Sequence, residues 1–189
     1  MKLYEKLPDS VMVDGRRIKL NLDFRNVLRM MNILATDDLT EEAREWLAMR
    51  CICRRPRKGM IGEVRKLLFP DGGKKQRDRV MDFEQDADLI RAAFQQAYGI
   101  DLNTAKLHWY RFSWLLAGLP DGTRFSEVIG IRTRPIPERT KYNGKEIEAL
   151  MEAKASVALK MTEKEQKDKY QRDVQNVAAL LLSMAGGSE

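Results

Sequence analysis

The sequence predicts a mainly α-helical fold (α+β): a helical domain with an N-terminal β-hairpin, followed by a long C-terminal helical extension. Three observations predict it. Apolar residues recur at helical spacing through most of the chain. Near the N-terminus, Asp14-Gly15 separates two short alternating segments, the pattern of a tight hairpin. From Lys145 onward the composition shifts to Ala, Lys, Glu and Met, which are strong helix formers. The boundaries read from this are a helical domain over residues 1–140 and an extension over 141–189.

Residues Ser10 to Leu22 form the expected hairpin, with Val11 and Val13 before the turn and Ile18, Leu20 and Leu22 after it. Two strands alone are marginal, so the hairpin must pack on something. Asp23 then caps a first helix carrying Phe24, Val27, Leu28, Met31 and Leu34, which Thr36-Asp37-Asp38 breaks. Thr40 caps a second helix, with Glu41 and Glu42 in the first turn where negative charge suits the dipole. Its expected apolar stripe is Ala43, Trp46, Leu47 and Cys51, and Arg54-Arg55-Pro56 ends it. A short helix with Ile61, Val64, Leu67 and Leu68 runs into a loop at Pro70–Gly73.

The next helix presents Phe83, Ala87, Ile90, Phe94 and Tyr98 on one face and stops at Gly99. A following helix is expected from about Thr104 to Ala117. It is apolar almost all round, so it belongs to the core or to an interface. Gly118 and Pro120 stop it. Phe125, Val128 and Ile129 mark a short amphipathic piece, and Arg132–Pro137 reads as an extended linker because Pro135 and Pro137 exclude a helix interior. The extension from Lys145 to about Ala185 reads as one or two long helices interrupted near Met161-Thr162. Thr162 and Glu165 form a capping box there, and the last residues should fray.

Composition narrows the function. The chain has 189 residues, 43% of them hydrophobic and 33% charged, enough for a sizeable core with a heavily solvated surface. No apolar run approaches the roughly 20 residues of a membrane span. The segment MKLYEKLPDSV lacks the apolar centre of a secretory signal, so a cytoplasmic protein is expected. A net charge of +6 permits contact with nucleic acid or an acidic protein surface without demanding it. The basic residues gather in Arg54, Arg55, Arg57 and Lys58, and again in Lys74, Lys75, Arg77 and Arg79.

Candidate chemistry is sparse. Cys51 and Cys53 form a lone C-x-C, and the single histidine, His108, leaves too few ligands for structural zinc, so two reduced thiols are expected. His108 lies in the most apolar stretch with no nucleophile or orienting acid that can be assigned to it, so it reads as a packed histidine. Asp82, Glu84, Asp86 and Asp88 read as helix-start acids. No glycine pattern matches a phosphate loop. The basic clusters could grip phosphates, but the aromatic residues that would stack bases lie elsewhere in the sequence. Neither a catalytic residue nor a cofactor or metal site is expected. Trp109, Tyr110, Phe112 and Trp114 fan around one helix, so at least one ring should be available to a partner.

The stretch from Phe83 to Pro137 resembles a family of siphophages of Gram-positive bacteria, the tail assembly chaperones encoded between the major tail protein and the tape measure protein. The matching residues are Asp86, Ala87, Ile90, Ala92, Ala93 and Phe94, then Gly99 to Leu102. Leu107, His108, Trp109, Phe112 and Leu115 follow, then Gly118-Leu119-Pro120, Thr123, Phe125, Val128, Ile129 and Arg132. Asp23-Phe24-Arg25 after a short hairpin is similar to the family's start. The resemblance implies a non-virion protein of the infected host's cytoplasm that coats the tape measure protein, recruits tail tube subunits and leaves before the virion is complete. It carries no catalytic residues over. It does not extend past Lys145.

Val174, Val177, Ala178, Leu181 and Leu182 form an apolar stripe after a nearly all-polar stretch, Glu163 to Asp173. This stripe either folds back on the aromatic helix or reaches a neighbouring copy or a client helix. The candidate partner-binding residues are therefore Trp109, Phe112, Trp114, Val174 and Leu181. A basic nucleic-acid-binding accessory protein is the alternative, to be told apart by the steep salt dependence of phosphate contacts.

Overall fold

Asp14 and Gly15 have positive φ, 49° and 70°, as a two-residue hairpin turn between right-handed twisted strands requires. They join strand β1 (Ser10–Val13) to β2 (Arg16–Lys19), antiparallel with Val11 opposite Ile18 and Val13 opposite Arg16. Val11 and Val13 are buried and Met12 between them is exposed, the alternation of a strand with one wet face. The computed structural model describes residues 3–70 and 79–162, with 165, 166 and 175.

The chain divides into two compact units, Met1–Arg134 and Pro135–Glu189. In the first, helices follow the hairpin: α1 (Phe24–Ala35), α2 (Glu41–Ile52), α3 (Met60–Leu68), α4 (Ala87–Tyr98), α5 (Trp109–Ala117) and α6 (Arg124–Thr133). Caps set their starts. The Asp23 carboxylate accepts from the Arg25 N–H, Thr40 from Ala43 and Thr123 from Ser126. Gly99, left-handed with φ 64°, closes α4 and gives its N–H to the Gln95 carbonyl. α1 packs most extensively on α2; α3 lies against β1, and α4 against α5 and α6.

Phe112 is the centre of the core. Its ring stacks on Phe24 at 4.6 Å and on Phe94 at 5.3 Å, and Trp109 and Phe83 flank it at 5.9 and 6.2 Å. Val27, Met30, Ile52, Met60 and Val64 are fully buried in the same core.

A second tie joins distant parts of the chain. The Trp109 N–H donates to the Leu22 carbonyl at 2.7 Å and the Phe24 N–H to the Leu107 carbonyl at 3.0 Å, so Asp23 and His108 face each other in an antiparallel bridge.

Three expectations need correction. The helix expected from Thr104 starts only at Trp109, because Asp101 captures the Asn103 N–H and turns the chain first. The stripe expected on α2 is split: Trp46 and Leu47 are exposed, Ala43 and Cys51 are half-buried, and Ala48, Met49 and Ile52 are the buried residues. α2 carries apolar residues on opposite sides, so periodicity alone did not select a face. Arg132 and Thr133 form the last turn of α6 rather than linker, since Pro135 restricts only its immediate predecessor, Arg134.

In the second unit, residues 135–140 are exposed and without regular structure. The Asn143 side chain accepts from the Thr140 N–H and donates to the Glu138 carbonyl, at 2.7 and 2.8 Å, which leads into α7 (Gly144–Ser156). α7 has no buried residue. The helical run breaks at Val157, earlier than expected. Thr162 and Glu165 form the reciprocal capping box: the Glu165 carboxylate accepts from the Thr162 N–H at 2.7 Å and the Thr162 hydroxyl from the Glu165 N–H at 3.2 Å. The stripe containing Val174 and Leu181 lies outside the described residues.

Candidate functional site

The site grows out of α5, whose start is fixed by His108. The imidazole Nδ1 accepts from the Tyr110 N–H at 3.2 Å, capping the helix, and Nε2 meets the Pro8 carbonyl at 3.0 Å. With Nδ1 accepting, Nε2 carries the proton and donates. Both ring nitrogens are thus spent on holding the fold, and the N-terminal segment is tied to α5. The Tyr110 ring stacks on His108, 9° from parallel. Its hydroxyl donates to the Leu67 carbonyl at the end of α3. Burial pushes the Tyr110 hydroxyl's pKa up, so it stays protonated as that donor.

Behind Tyr110 a groove of about 1040 Å³ opens between α5, the end of α3 and the N-terminal segment. Its apolar walls include Leu7, Leu67, Tyr110, Trp114 and Leu115. Tyr98 closes one side and anchors there by donating its hydroxyl to the Leu115 carbonyl at 2.8 Å. Lys6 and Arg111 bring positive charge to the groove, Lys66 on its rim is paired with Glu63 at 2.7 Å, and Glu5 is the one acid among the lining residues. The Trp114 side of the groove is open, with that residue 51% exposed.

Of the residues expected to meet partners, Trp114 alone is placed at a surface. Trp109 and Phe112 are core residues, 5% and 1% exposed, so the fold withdraws them from any docked partner. Val174 and Leu181 lie outside the described residues. The groove-forming roles of Tyr98, Tyr110 and Leu115 were missed; the signal was the fan of rings on α5, read as a count of faces rather than as a wall.

A second exposed aromatic is Trp46. The Arg50 guanidinium sits 5.6 Å over its ring, and a smaller hollow of about 280 Å³ joins it to Arg57 and Lys58. Glu42 and Glu45 line the same hollow. One aromatic therefore does lie beside a basic cluster, contrary to the sequence expectation. Of the other cluster, Lys74, Lys75 and Arg77 lie outside the described residues, and Arg79 pairs with Asp82 at 2.9 Å. Cys51 and Cys53 are free thiols at the end of α2.

The acids before α4 do more than suit a helix dipole. Asp86 is 1% exposed, and Arg132 of α6 grips both its oxygens, at 2.7 and 2.9 Å. It also accepts the Asp82 N–H at 3.0 Å. Burial raises the Asp86 pKa, but the Arg132 hydrogen bonds, the Asp82 N–H and the charges of Arg132 and Arg79 outweigh it, and the net shift is downward. Asp82 in turn accepts the Glu84 and Gln85 N–H groups. This network is structural: it joins α4 to α6. Among the described residues, no three side chains of His, Cys, Asp or Glu type come together as a metal site, and no helix is long and apolar enough to cross a membrane.

No curated protein and no solved structure matches the chain. A family model does: that of the bacteriophage Gp15 protein matches residues 3–69 and 63–159, which takes in the hairpin, every helix of the first unit and α7. The chain is therefore a bacteriophage protein, and it belongs to the bacteriophage Gp15 protein family.

Proposed function

We propose that this phage protein is a tail assembly chaperone, which binds the tape measure protein and recruits major tail protein subunits while the tail tube grows. It acts in the cytoplasm of the infected host, performs no catalytic step and is absent from the mature virion. The observation that carries this reading is the open groove on α5. An apolar wall of Trp114, Tyr110, Leu67 and Leu115 with cationic residues around it suits a protein segment. Membership in a phage family and the resemblance of residues 83–137 to tail assembly chaperones support the same reading. The non-enzymatic part is supported by His108, whose two nitrogens are committed to the Tyr110 N–H and the Pro8 carbonyl.

The test is direct binding. The purified protein should capture co-expressed fragments of the phage's own tape measure protein, or its major tail protein, in moderate salt, and Trp114→Glu should abolish capture. Absence of binding to either would refute the proposal.

A nucleic-acid accessory role is the second reading, favoured by Trp46 beside Arg57 and Lys58. Glu42 and Glu45 in the same hollow weigh against it, because like charges repel a phosphate backbone. Tight DNA binding that weakens steeply with salt and is lost in Trp46→Ala would replace the chaperone reading.

A further inference from the structure

We propose that a hollow between α1 and α4 is a docking site for an acidic segment of a partner protein. The segment sets one large apolar side chain into the hollow and lays its neighbouring carboxylates on Arg25, Arg29 and Arg91. The hollow is separate from the groove on α5, and its role does not rest on the chaperone reading.

The hollow measures about 300 Å³. That is the lower end of the range for ligand pockets, so it has room for a single anchoring side chain. Leu28 of α1, Phe83 before α4 and Ala87 at its start are half-buried and supply apolar walls. Behind them lies the core itself, with Phe24 and Phe112 stacked at 4.6 Å. Walls set on a packed core keep their shape, as a pocket for an interface anchor must.

Three arginines line the hollow and no acid does. Arg25 and Arg29 are four residues apart on α1 and share a face of that helix, and Arg91 stands on α4. Arg25 is already in position. Its Nη2 donates to the Ala105 carbonyl, and its guanidinium lies 5.2 Å over the Phe24 ring. Its Nε is buried without a hydrogen-bond acceptor, 3.5 Å from the Asp23 carboxylate. A cation held in place beforehand loses little freedom when an anion arrives. Arg29 is exposed and has no acidic partner among the described residues. Arg91 holds Asp88 at 2.7 Å, but both side chains are open to water, so the pair is weak and an incoming carboxylate can take its place.

Guanidinium forks match carboxylates two bonds at a time, and an apolar hollow ringed by such forks matches an apolar residue flanked by acids. A nucleic-acid strand would offer phosphates to the same forks. It would also need ring faces on which to stack its bases, and Phe24 and Phe112 are buried.

The experiment is fluorescence anisotropy on the full chain. The probe is a fluorescein-labelled hexapeptide of sequence Asp-Glu-Phe-Leu-Glu-Asp. It should bind saturably. A peptide with Asn and Gln in place of the acids, or with Ala in place of Phe and Leu, should bind at least tenfold more weakly. Arg29→Ala with Arg91→Ala should weaken binding at least tenfold; both side chains are exposed, and Arg25 is spared because it ties α1 to Ala105. Asp88→Asn frees Arg91 and should tighten binding several-fold, an outcome that unfolding cannot mimic. Trp114→Glu should bind the probe as wild type does. Absence of saturable binding overturns the proposal. So does binding that survives loss of the two arginines, that Asp88→Asn fails to tighten, or that Trp114→Glu abolishes, since the last places the peptide in the other groove. A single-stranded oligonucleotide that binds more tightly than the peptide, with the same dependence on Arg29 and Arg91, overturns it as well.

Discussion

Arg132 holds both oxygens of Asp86 in a bidentate pair that spans 46 residues of sequence. The arginine side chain is 11% exposed and the aspartate side chain 2%. Removing one partner leaves a charge buried without its counter-ion, which costs about 3–5 kcal/mol. Arg132→Met should therefore lower the urea midpoint far more than Arg124→Met, whose exposed ion pair with Glu127 is worth at most about 1 kcal/mol.

The same pair sets an acid limit. The folded Asp86 pKa lies below the ordinary 3.8, so between those two values the unfolded chain binds more protons than the folded one. The pair's stabilisation is complete above 3.8 and is lost as pH falls through the folded value. Unfolding midpoints measured downward from pH 5 should drop in wild type and drop less in Asp86→Asn, already weakened at neutral pH.

Phe112 and Trp114 are two residues apart and should behave oppositely. Phe112→Ala empties the centre of the core and should cost about 3–5 kcal/mol, read as a large fall in melting temperature. Trp114→Ala truncates a half-exposed ring and should change stability by less than about 1 kcal/mol while impairing partner capture. Equal thermal losses in both variants would show that Trp114 belongs to the core.

His108 offers a finer test, because its two nitrogens do different work. His108→Ala removes the cap of α5 and the tie to Pro8, and should cost about 1–2 kcal/mol. His108→Asn can restore the cap but cannot reach Pro8 in the same way. It should recover part of the stability, with amide exchange still raised in the N-terminal segment.

Much of the fold was legible because local chemistry dictated it. Asp14-Gly15 specified the turn, Asp23, Thr40 and Thr162 specified starts, and Gly99 specified a stop. What was not legible depended on tertiary partners. The outward turn of Trp46 follows from which side of α2 meets α1, and α2 carries apolar residues on both sides. The pairing of Asp86 with Arg132 needs the packing of α6 on α4. Both of those residues, like Thr123, His108 and Phe112, hold the fold together. The groove on α5 likewise had to be found in three dimensions.

The bridge between Asp23 and His108 has a consequence for synthesis. Translation delivers Pro8, Leu22 and Phe24 long before Leu107, His108 and Trp109; the Leu22 carbonyl must wait for the Trp109 N–H, the Phe24 N–H for the Leu107 carbonyl, and the Pro8 carbonyl for the His108 ring. Chains emerge N-terminus first, and contacts of such large sequence separation form slowly. The hairpin can therefore pack on α3 as it leaves the ribosome but lacks its link to α5, and in a ribosome stalled before residue 109 the carbonyls of Pro8 and Leu22 are still unlatched.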